Sequence, residues 1–328
     1  MKKRLTRFLP FLLAFTIALP SYSVFAEEEN QAKETQTNET NETQADETTA
    51  NDTLSLAAET AVLIDAASGE ILYDKDADKK MYPASITKLM TILLALENGK
   101  LTDEITFSHD AVYNIEPGSA HIAILEGETL TLEQVLRAII LRSANEASNG
   151  VAEYVDGSVE AFAKHMTERA KELGCTNTNF VNANGLFDEN HYTTAHDMAL
   201  IARELLKHEE YRSMMSETDY EIPPTNLQTE TRYLHGQHQM LNPNSIYYYK
   251  DAIGGKTGYT VEAGNTLVTY AERDGLTLIA VVMKCNGAEH YTDTAALFDY
   301  GFANYASVKI AAVSDYTSTV PVTKKPLP

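Results

Sequence analysis

Three short motifs stand in order along the 328-residue chain, and each of them occurs only once. They are Ser85-Ile-Thr-Lys88, Ser143-Ala-Asn145 and Lys256-Thr-Gly258. Together they supply a nucleophilic hydroxyl with an amine nearby, a second hydroxyl beside an amide, and a cation next to a glycine. Acyl transfer through a covalent serine ester requires a hydroxyl nucleophile and a base that activates it, so this chemistry is the first hypothesis for the chain.

Ser85 lies where the sequence predicts that a helix begins. Pro83 fits the entry to a helix, Gly99 fits its end, and an apolar run between them predicts a buried face over residues 85–97. A serine and a lysine three residues apart on such a helix share one face, so the amine of Lys88 can reach the hydroxyl. Taken alone, Ser85 could merely cap the helix and Lys88 could be a solvated surface lysine. The other two motifs favour the catalytic interpretation.

The second motif follows a strong helix signal. Thr131-Leu-Glu-Gln134 has the form of a capping box, and an apolar stripe predicts a helix over residues 132–142. Ser143 and Asn145 therefore fall at or just past the end of this helix, where ordinary turn chemistry is the alternative. In the catalytic interpretation, Ser143 relays a proton to the leaving amine. Asn145 binds a substrate peptide group and orients Lys88.

The third motif belongs to a glycine-rich extended segment, Asp251–Thr260, that precedes a predicted strand pair. The pair comprises Thr266–Tyr270 and Leu276–Met283, with a turn at Arg273-Asp-Gly275. Glycines in such a strand let the backbone of a ligand approach closely, and Lys256 and Thr257 offer a cation and a hydroxyl to a peptide carboxylate. A nucleotide-binding P-loop is disfavoured because Lys250 stands where its first glycine is needed.

These motifs resemble those of the penicillin-recognising serine enzymes, and most closely those of the D-alanyl-D-alanine carboxypeptidases among the low-molecular-mass penicillin-binding proteins. The resemblance extends from about Ala57 to Tyr305. It includes Ala61–Glu70, Phe180–Leu186 and Thr194–Asp197, which are similar to the family's opening hairpin, its mid-domain loop and the helix after that loop. The resemblance implies a serine peptidase that removes the terminal D-alanine from peptidoglycan stem pentapeptides, binds penicillin and uses no cofactor.

The resemblance also implies a role for each motif residue. The catalytic residues are Ser85 as nucleophile, Lys88 as the base in acylation and Ser143 as proton relay, and the substrate-binding residues are Asn145, Lys256, Thr257, Gly258 and Tyr259. The backbone N–H groups of Ser85 and Tyr259 would form the oxyanion hole. No motif in the sequence has the ligand spacing of a metal site.

Two features depart from the family pattern. Family members often carry an arginine near the start of the last helix, where this chain has His290. His290 could take part in carboxylate recognition in a pH-dependent way, or it could lie on the helix surface. The second departure is the C-terminus. Residues 306–328 are too few for the second β domain or the amphipathic anchor of many relatives, so we expect a short tail of a shortened or incomplete chain.

The N-terminal sequence predicts an exported protein. Basic residues precede the apolar stretch Phe8–Leu19, and Val24-Phe-Ala26 fits a cleavage site, so residues 1–26 are predicted to be a signal peptide. An uncleaved anchor is the alternative. Residues 27–56 are acidic and poor in large apolar side chains, which predicts a disordered linker. The predicted catalytic domain comprises residues 57–305 and would act in the cell envelope or outside the cell.

The composition restricts the partners of the chain. A formal net charge of −21 argues against binding to nucleic acid or to an anionic lipid surface. Cys175 and Cys285 could pair in an oxidising compartment, or both could be buried thiols. We expect a monomer whose partners are a stem peptide ending in D-Ala-D-Ala and β-lactam antibiotics.

The order of elements predicts an α/β (α+β) fold of the β-lactamase/transpeptidase type. Amphipathic helices are predicted near residues 85–97, 132–142, 158–173 and 194–207, with strands towards both ends of the domain. This order implies an antiparallel sheet built from both chain ends, flanked by helices, with an inserted all-helical lobe. The active site would lie in the cleft between the two parts.

Two other functions stay open on the sequence alone. A serine β-lactamase shares the nucleophile chemistry, but class A enzymes deacylate with a glutamate about three dozen residues after the second motif. Here that stretch reads Thr176–Asn184, and no acid occurs between Glu172 and Asp188. A non-catalytic sensor that binds β-lactams or cell wall is the third possibility, and the intact set of motifs disfavours it.

Overall fold

The computed structural model describes residues 54–307 of the chain. The strands are β1 (Thr60–Asp65), β2 (Ile71–Lys75), β3 (Glu104–Thr106), β4 (Thr129–Thr131), β5 (Asp219–Ile222), β6 (Arg232–His235), β7 (Ala252–Thr260), β8 (Gly264–Arg273) and β9 (Leu276–Cys285). The α-helices are α1 (Lys88–Asn98), α2 (His109–Tyr113), α3 (Leu132–Arg142), α4 (Asn145–Asp156), α5 (Val159–Glu172), α6 (Ala195–Leu205), α7 (Glu209–Met214) and α8 (Glu289–Asn304).

A five-stranded antiparallel sheet in the order β2-β1-β9-β8-β7 forms the centre of the fold. β1 pairs with both β2 and β9, so the first and the last strands of the sheet lie side by side. β9 occupies the central position because its sequence is almost continuously apolar and nearly all of it is buried. The predicted sheet built from both chain ends is confirmed, with β7 as one of its edge strands.

The β8–β9 hairpin forms as the sequence predicts. Arg273 pairs with Leu276 across a two-residue turn in which Asp274 has φ 51° and Gly275 has φ 79°. Positive φ at both central residues is typical of the type I′ turn, whose twist matches that of the flanking strands. The hairpin therefore fixes the register of β8, and β8 in turn positions the edge strand β7.

Two apolar cores lie on the two faces of the sheet. Helix α8 covers one face through contacts with β8 and β9, and Leu297 and Phe298 are fully buried there. Helix α6 covers the other face, and α1 packs between α6 and the helices α3, α4 and α5. Helix α1 is thus the element that joins the sheet to the inserted lobe.

The inserted lobe is mainly helical, but the prediction that it is all-helical is wrong. It also contains the short antiparallel pair β3–β4, which contacts α3 and α4. The two strands alternate between polar and apolar residues, and Ile105 and Leu130 point into the core while their neighbours are more exposed. Two segments of three residues carry too little of the alternating pattern for a strand to be recognised in the sequence.

Three of the four predicted helices are present as α3, α5 and α6, and polar side chains cap each of them. Thr131 and Gln134 form the predicted capping box of α3, while Ser158 and Thr194 accept hydrogen bonds at the starts of α5 and α6. The fourth helix, predicted over residues 85–97, begins later than predicted. A 3₁₀ turn, Ala84–Thr87, comes first, and the α-helical hydrogen bonds begin only at Lys88.

Cys175 and Cys285 are free, buried thiols that belong to the two different cores. Burial raises the pKa of both thiols, in Cys285 to about 12, so both stay protonated near neutrality. The structure therefore has the second of the two alternatives for the cysteines, in which both are buried thiols.

Within residues 54–307, no helix has both the length and the apolar composition that a bilayer span requires. The predicted signal peptide and most of the predicted linker and tail lie outside the described residues, so these boundaries stay predictions.

Candidate active site

The first functional side chain, Ser85, is held by a turn that other parts of the chain clamp. Ala84 has φ 50°, a left-handed conformation that is unusual for a residue with a side chain, and it redirects the chain just before Ser85. The Ala84 carbonyl packs so tightly on Gly185 that a Cβ there would lie 2.0 Å from its oxygen. From the sheet, Thr266 Oγ1 donates a hydrogen bond of 2.8 Å to the carbonyl of Pro83. The 3₁₀ turn that replaces the first predicted helical turn is therefore fixed from two sides.

Lys88 lies at the start of α1 and is fully buried. Its Nζ lies 2.9 Å from Ser85 Oγ, 2.8 Å from Asn145 Oδ1 and 2.5 Å from the carbonyl oxygen of Asn184. The amide and carbonyl oxygens can only accept hydrogen bonds, so they take both N–H groups of a neutral amine. The lone pair of that amine then faces the hydroxyl of Ser85, which is the geometry of a base beside its nucleophile.

The electrostatic environment favours the neutral form of Lys88. Burial lowers the pKa of this amine well below its ordinary value, and the nearby positive charge of Lys256 lowers it further. The buried carboxyl of Glu146 acts in the opposite direction on the pKa of Lys88, but burial raises the pKa of Glu146 itself and so weakens that effect. The pKa of this buried amine, which has no carboxylate among its hydrogen-bond partners, is therefore shifted towards the neutral form that a base requires.

Ser143 and Asn145 come from the junction between α3 and α4. Ser143 ends α3 with φ 57°, and Asn145 is the first residue of α4, a helix that the sequence did not predict. The hydroxyl of Ser143 is buried and has no hydrogen-bond partner within the described part of the chain. A buried hydroxyl without a hydrogen-bond partner, on a residue in a strained backbone conformation, is typical of a functional group that forms its hydrogen bonds with a ligand. Asn145 touches Lys88 as expected, so the second motif lies beside the first.

The third motif brings the edge strand β7 against the nucleophile. A Cβ on Gly258 would lie 2.9 Å from the backbone nitrogen of Ser85, so only a glycine permits this approach. Lys256 is buried two residues upstream, and burial lowers its pKa to about 7. Its Nζ donates a hydrogen bond of 2.8 Å to the carbonyl of Thr257. Tyr259, directly after Gly258, is 63% exposed.

The loop that contains Asn184 completes the surroundings of Lys88, and reasoning from the motifs missed it. Besides accepting from Lys88 through its carbonyl, Asn184 donates from Nδ2 to Asn149 Oδ1 at 3.1 Å. Asn149 in turn donates to the carbonyls of Ala111 and Asn114, both at 3.3 Å. The only signal in the sequence was the resemblance of residues 180–186 to a family loop, which gave Asn184 no role. We therefore add Asn184 and Asn149 as residues that position the amine.

His191 holds the same loop against the nucleophile turn. The backbone N–H of Val181 donates to His191 Nδ1 at 3.2 Å, so Nδ1 carries no proton and Nε2–H donates to Thr87 Oγ1 at 2.8 Å. Burial lowers the pKa of His191 to about 4, which keeps the ring neutral and this arrangement fixed over the physiological range. Thr87 is two residues from Ser85, so the contact supports the nucleophile indirectly.

His290, one of the departures from the family pattern, is not a surface residue. It is buried near the start of α8, its ring centroid lies 3.9 Å from that of Tyr291, and its Nδ1 has no partner among the described residues. Burial also lowers its pKa. The surface alternative is therefore wrong, because this side chain is buried against the ring of Tyr291. A neutral imidazole there cannot replace the permanent charge of an arginine.

The described residues hold no group of three or more His, Cys, Asp or Glu side chains with the arrangement of a metal site. The amine of Lys88 lies within hydrogen-bonding distance of the Ser85 hydroxyl and the Asn145 amide, and β7 packs against the backbone of Ser85 at Gly258.

Comparisons with known proteins point to one family. A sequence profile of the D-alanyl-D-alanine carboxypeptidase family matches residues 44–287. D-alanyl-D-alanine carboxypeptidase DacF of Bacillus subtilis is 36% identical over 259 residues, which cover 77% of this chain and 64% of the relative. DacC of Escherichia coli is 32% identical over 77% of this chain and 63% of the relative. The chain thus spans just under two thirds of the length of these curated relatives.

Solved structures show the same similarity. The DD-transpeptidase of Streptomyces K15 superposes with a TM-score of 0.70 and 26% identity, over 76% of this chain and 98% of that protein. A D-alanyl-D-alanine carboxypeptidase from Mycobacterium tuberculosis superposes with a TM-score of 0.70 and 27% identity, over 79% of this chain and 96% of that protein. With the profile match over most of the folded region, the sequence identities and the shared fold, the chain belongs to the D-alanyl-D-alanine carboxypeptidase family.

Proposed function

We propose that this chain is a serine-type D-Ala-D-Ala carboxypeptidase that removes the terminal D-alanine from peptidoglycan stem pentapeptides. The observation that carries the proposal is the contact of 2.9 Å between Lys88 Nζ and Ser85 Oγ, in a site where the amine is buried and its pKa is lowered. A buried neutral amine beside a serine hydroxyl can remove the proton that limits the hydroxyl as a nucleophile.

In acylation, Ser85 Oγ attacks the carbonyl carbon of the penultimate D-alanine while its proton moves to Lys88 Nζ. The negative charge on the substrate oxygen is stabilised by the backbone N–H groups of Ser85 and Tyr259. The C–N bond then breaks, and the proton passes from Lys88 through the hydroxyl of Ser143 to the departing amine. Free D-alanine leaves, and the rest of the peptide remains as an ester on Ser85.

In deacylation, a water molecule attacks the carbonyl carbon of the ester. Lys88, neutral again after the first half of the reaction, takes a proton from this water. The ester C–O bond breaks, the proton returns to Ser85 Oγ, and the shortened peptide leaves with a new carboxylate. The same amine serves both halves of the reaction because its partners Asn145 and Asn184 hold it in one place.

Substrate orientation depends on the edge strand β7. The C-terminal carboxylate of the substrate would lie against Lys256 and Thr257, and the strand would continue past the scissile carbonyl at Gly258. A bound carboxylate favours the charged form of Lys256 and so opposes the effect of burial on its pKa. The side-chain amide of Asn145 would form a hydrogen bond with the substrate amide group that precedes the scissile bond.

A serine β-lactamase is the less favoured alternative. The three partners of Lys88 Nζ are Ser85, Asn145 and the carbonyl of Asn184, so none of them is a carboxylate that could activate water. Penicillin would acylate Ser85 in either function, because a β-lactam resembles an acyl-D-Ala-D-Ala terminus. The proposal further includes a monomer that is exported and acts in the cell wall, with no affinity for nucleic acid.

The test compares two reactions of the same preparation. We expect the enzyme to release D-alanine from a stem pentapeptide and to hydrolyse a chromogenic cephalosporin slowly. Labelling with a fluorescent penicillin should map to Ser85 and should disappear in Ser85→Ala. Fast cephalosporin turnover with little D-alanine release would reject the carboxypeptidase in favour of a β-lactamase. Stable penicillin labelling without turnover of either compound would favour a sensor.

A further inference from the structure

A buried carboxyl group beside the second motif takes no part in the proposed reaction. Glu146 follows Asn145 directly in α4 and is only 1% exposed. Its Oε1 accepts a hydrogen bond of 2.7 Å from the backbone N–H of Ile122, and its Oε2 has no partner among the described residues. Burying a carboxyl group with an unsatisfied oxygen lowers stability, so the presence of Glu146 at this position requires an explanation.

The partner of Glu146 belongs to a segment, residues 120–125, that is neither helix nor strand. Backbone groups of such a segment still need hydrogen-bond partners where they are buried. Besides the contact with Glu146, Arg232 donates to the carbonyl of Ala123 at 2.9 Å, and the N–H of Leu125 donates to a carboxylate oxygen of Glu128 at 2.9 Å. Side chains therefore fix the 120–125 segment in the way that a neighbouring strand would.

The 120–125 segment is also bound to the second motif. The carbonyl of Ala120 accepts a hydrogen bond of 2.8 Å from the backbone N–H of Asn145. Because Asn145 is the first residue of α4, its N–H has no partner within the helix, and Ala120 satisfies it. The side chain of Asn145 accepts from Lys88 Nζ at 2.8 Å. A shift of the segment would therefore move Asn145, and with it a partner of the amine.

The charges around Lys88 separate the effect of this contact from the effect of the carboxylate charge. Burial and the charge of Lys256 on β7 lower the pKa of Lys88, and Glu146 on α4 raises it. His191 stays neutral, because burial lowers its pKa to about 4. His121, in the 120–125 segment, acts against the burial that raises the pKa of Glu146. Removing the charge of Glu146 alone would therefore favour the neutral amine, so a loss of acylation on changing this residue must come from geometry.

We propose that Glu146 is a positioning residue for the acylation of Ser85: its Oε1 binds the 120–125 segment to α4 and so keeps Asn145 against Lys88. Glu146 itself touches neither the substrate nor the reacting atoms. This inference rests on one part of the proposed function, the roles of Ser85 as nucleophile and Lys88 as base. It does not depend on which acyl compound the enzyme turns over.

Two substitutions separate the reach of the side chain from its charge, and both are tested by the second-order rate constant for acylation by a fluorescent penicillin. Glu146→Asp keeps the charge but withdraws the acceptor by one methylene group, so the rate constant should fall about tenfold, as small displacements of reacting groups do. Glu146→Gln keeps an oxygen acceptor at the same length, so its rate constant should stay within roughly threefold of the wild type. The rate constant refers only to molecules that are labelled at saturation, so unfolded protein does not affect it.

The pH dependence of acylation provides a readout that a purely structural role would not change. In Glu146→Gln the amine loses a neighbouring negative charge, which lowers its pKa. The decline of the acylation rate at low pH should therefore move to lower pH in this variant.

Glu153→Gln is the matched control. Glu153 lies on the same helix, and its carboxylate accepts a hydrogen bond of 2.8 Å from Ser108 Oγ. Its acylation rate constant and the position of its decline at low pH should both stay as in the wild type.

Three results would each overturn the positioning role of Glu146. They are a Glu146→Asp enzyme acylated within roughly threefold of the wild type, a Glu146→Gln enzyme as slow as Glu146→Asp, and a decline at low pH that does not move in Glu146→Gln. Wild-type enzyme that is acylated but releases no D-alanine would overturn the carboxypeptidase proposal and leave the role of Glu146 standing. Wild-type enzyme that penicillin does not acylate would overturn both.

Discussion

The close approach of β7 to the nucleophile makes Gly258→Ala a sharp test of the site. An added Cβ would lie 2.4 Å from Thr266 Oγ1, 2.9 Å from the backbone nitrogen of Ser85 and 3.1 Å from that of Ile86. Ordinary Cβ contacts begin at 3.4 Å, so β7 or the turn must move by about 1 Å in a tightly packed region. The conformation of Gly258 itself is open to alanine, because its φ lies outside the left-handed region. The effect is therefore steric.

A displacement of about 1 Å between reacting groups can lower a rate about 100-fold, so the second-order rate constant for acylation by a fluorescent penicillin should fall by about that factor. The rate constant is measured from the time course of labelling at several penicillin concentrations. Gly236→Ala is the control, since its Cβ would meet its nearest neighbour, the carbonyl oxygen of Thr218, at 3.1 Å and requires only a small adjustment. A Gly258→Ala enzyme that is acylated within threefold of the wild type would refute the reasoning.

Three other predictions follow from Lys88, Lys256 and the buried pair Glu128–Arg232. Lys88→Arg retains a charge but supplies no neutral amine, so the rate of penicillin acylation should fall by at least about 100-fold. In the wild type, the acylation rate should decline as the pH is lowered, because the amine becomes protonated. A pH-independent acylation rate would contradict this role of Lys88. Lys256 loses its charge above a pKa of about 7, so kcat/KM for D-alanine release should decline above that pH. Lys256→Arg should move the decline to higher pH, because an arginine keeps its charge. The same decline at high pH in both enzymes would refute the role of the charge. Arg232 donates to the fully buried Glu128 at 2.6 and 2.7 Å. Arg232→Met leaves this carboxylate buried without its partner, so the free energy of unfolding measured in urea should fall by about 3 kcal/mol, and adding Glu128→Gln to that variant should restore part of the loss. A loss below about 1 kcal/mol would show that the pair is not desolvated.

The sequence was most informative where the determining interactions are local. Ser85 and Lys88 meet because three residues of a helical turn bring their side chains to one face, and a spacing of that kind can be read directly. The capping box of Thr131 and Gln134 and the turn at Asp274 are equally local. The order of helices and strands was sufficient to predict the sheet from both chain ends, since apolar periodicity identifies the long elements.

Features that depend on contacts between distant segments could not be predicted in the same way. The left-handed conformation of Ala84 accompanies its close packing against Gly185 in a distant loop, and an alanine gives no signal for it. Asn184 reaches Lys88 through its backbone carbonyl, which every residue possesses, so no residue type indicated it. The burial of His290 depends on how α8 is rotated on the sheet, and a histidine at a helix start is compatible with either side.

The pairing of β1 with β9 has a consequence for when the enzyme becomes competent. Thr60 pairs with Met283, so the two strands that meet at the centre of the sheet are separated by most of the folded chain. Contacts of such sequence separation form late, because a long loop must close first. Ser85 emerges early during synthesis, but β7, which completes its surroundings, and β9, which anchors the sheet, emerge near the end. In a chain that crosses a membrane unfolded, as in the proposed export, this topology would delay folding until the last strand has arrived, and the nucleophile would lack the contact with β7 until then.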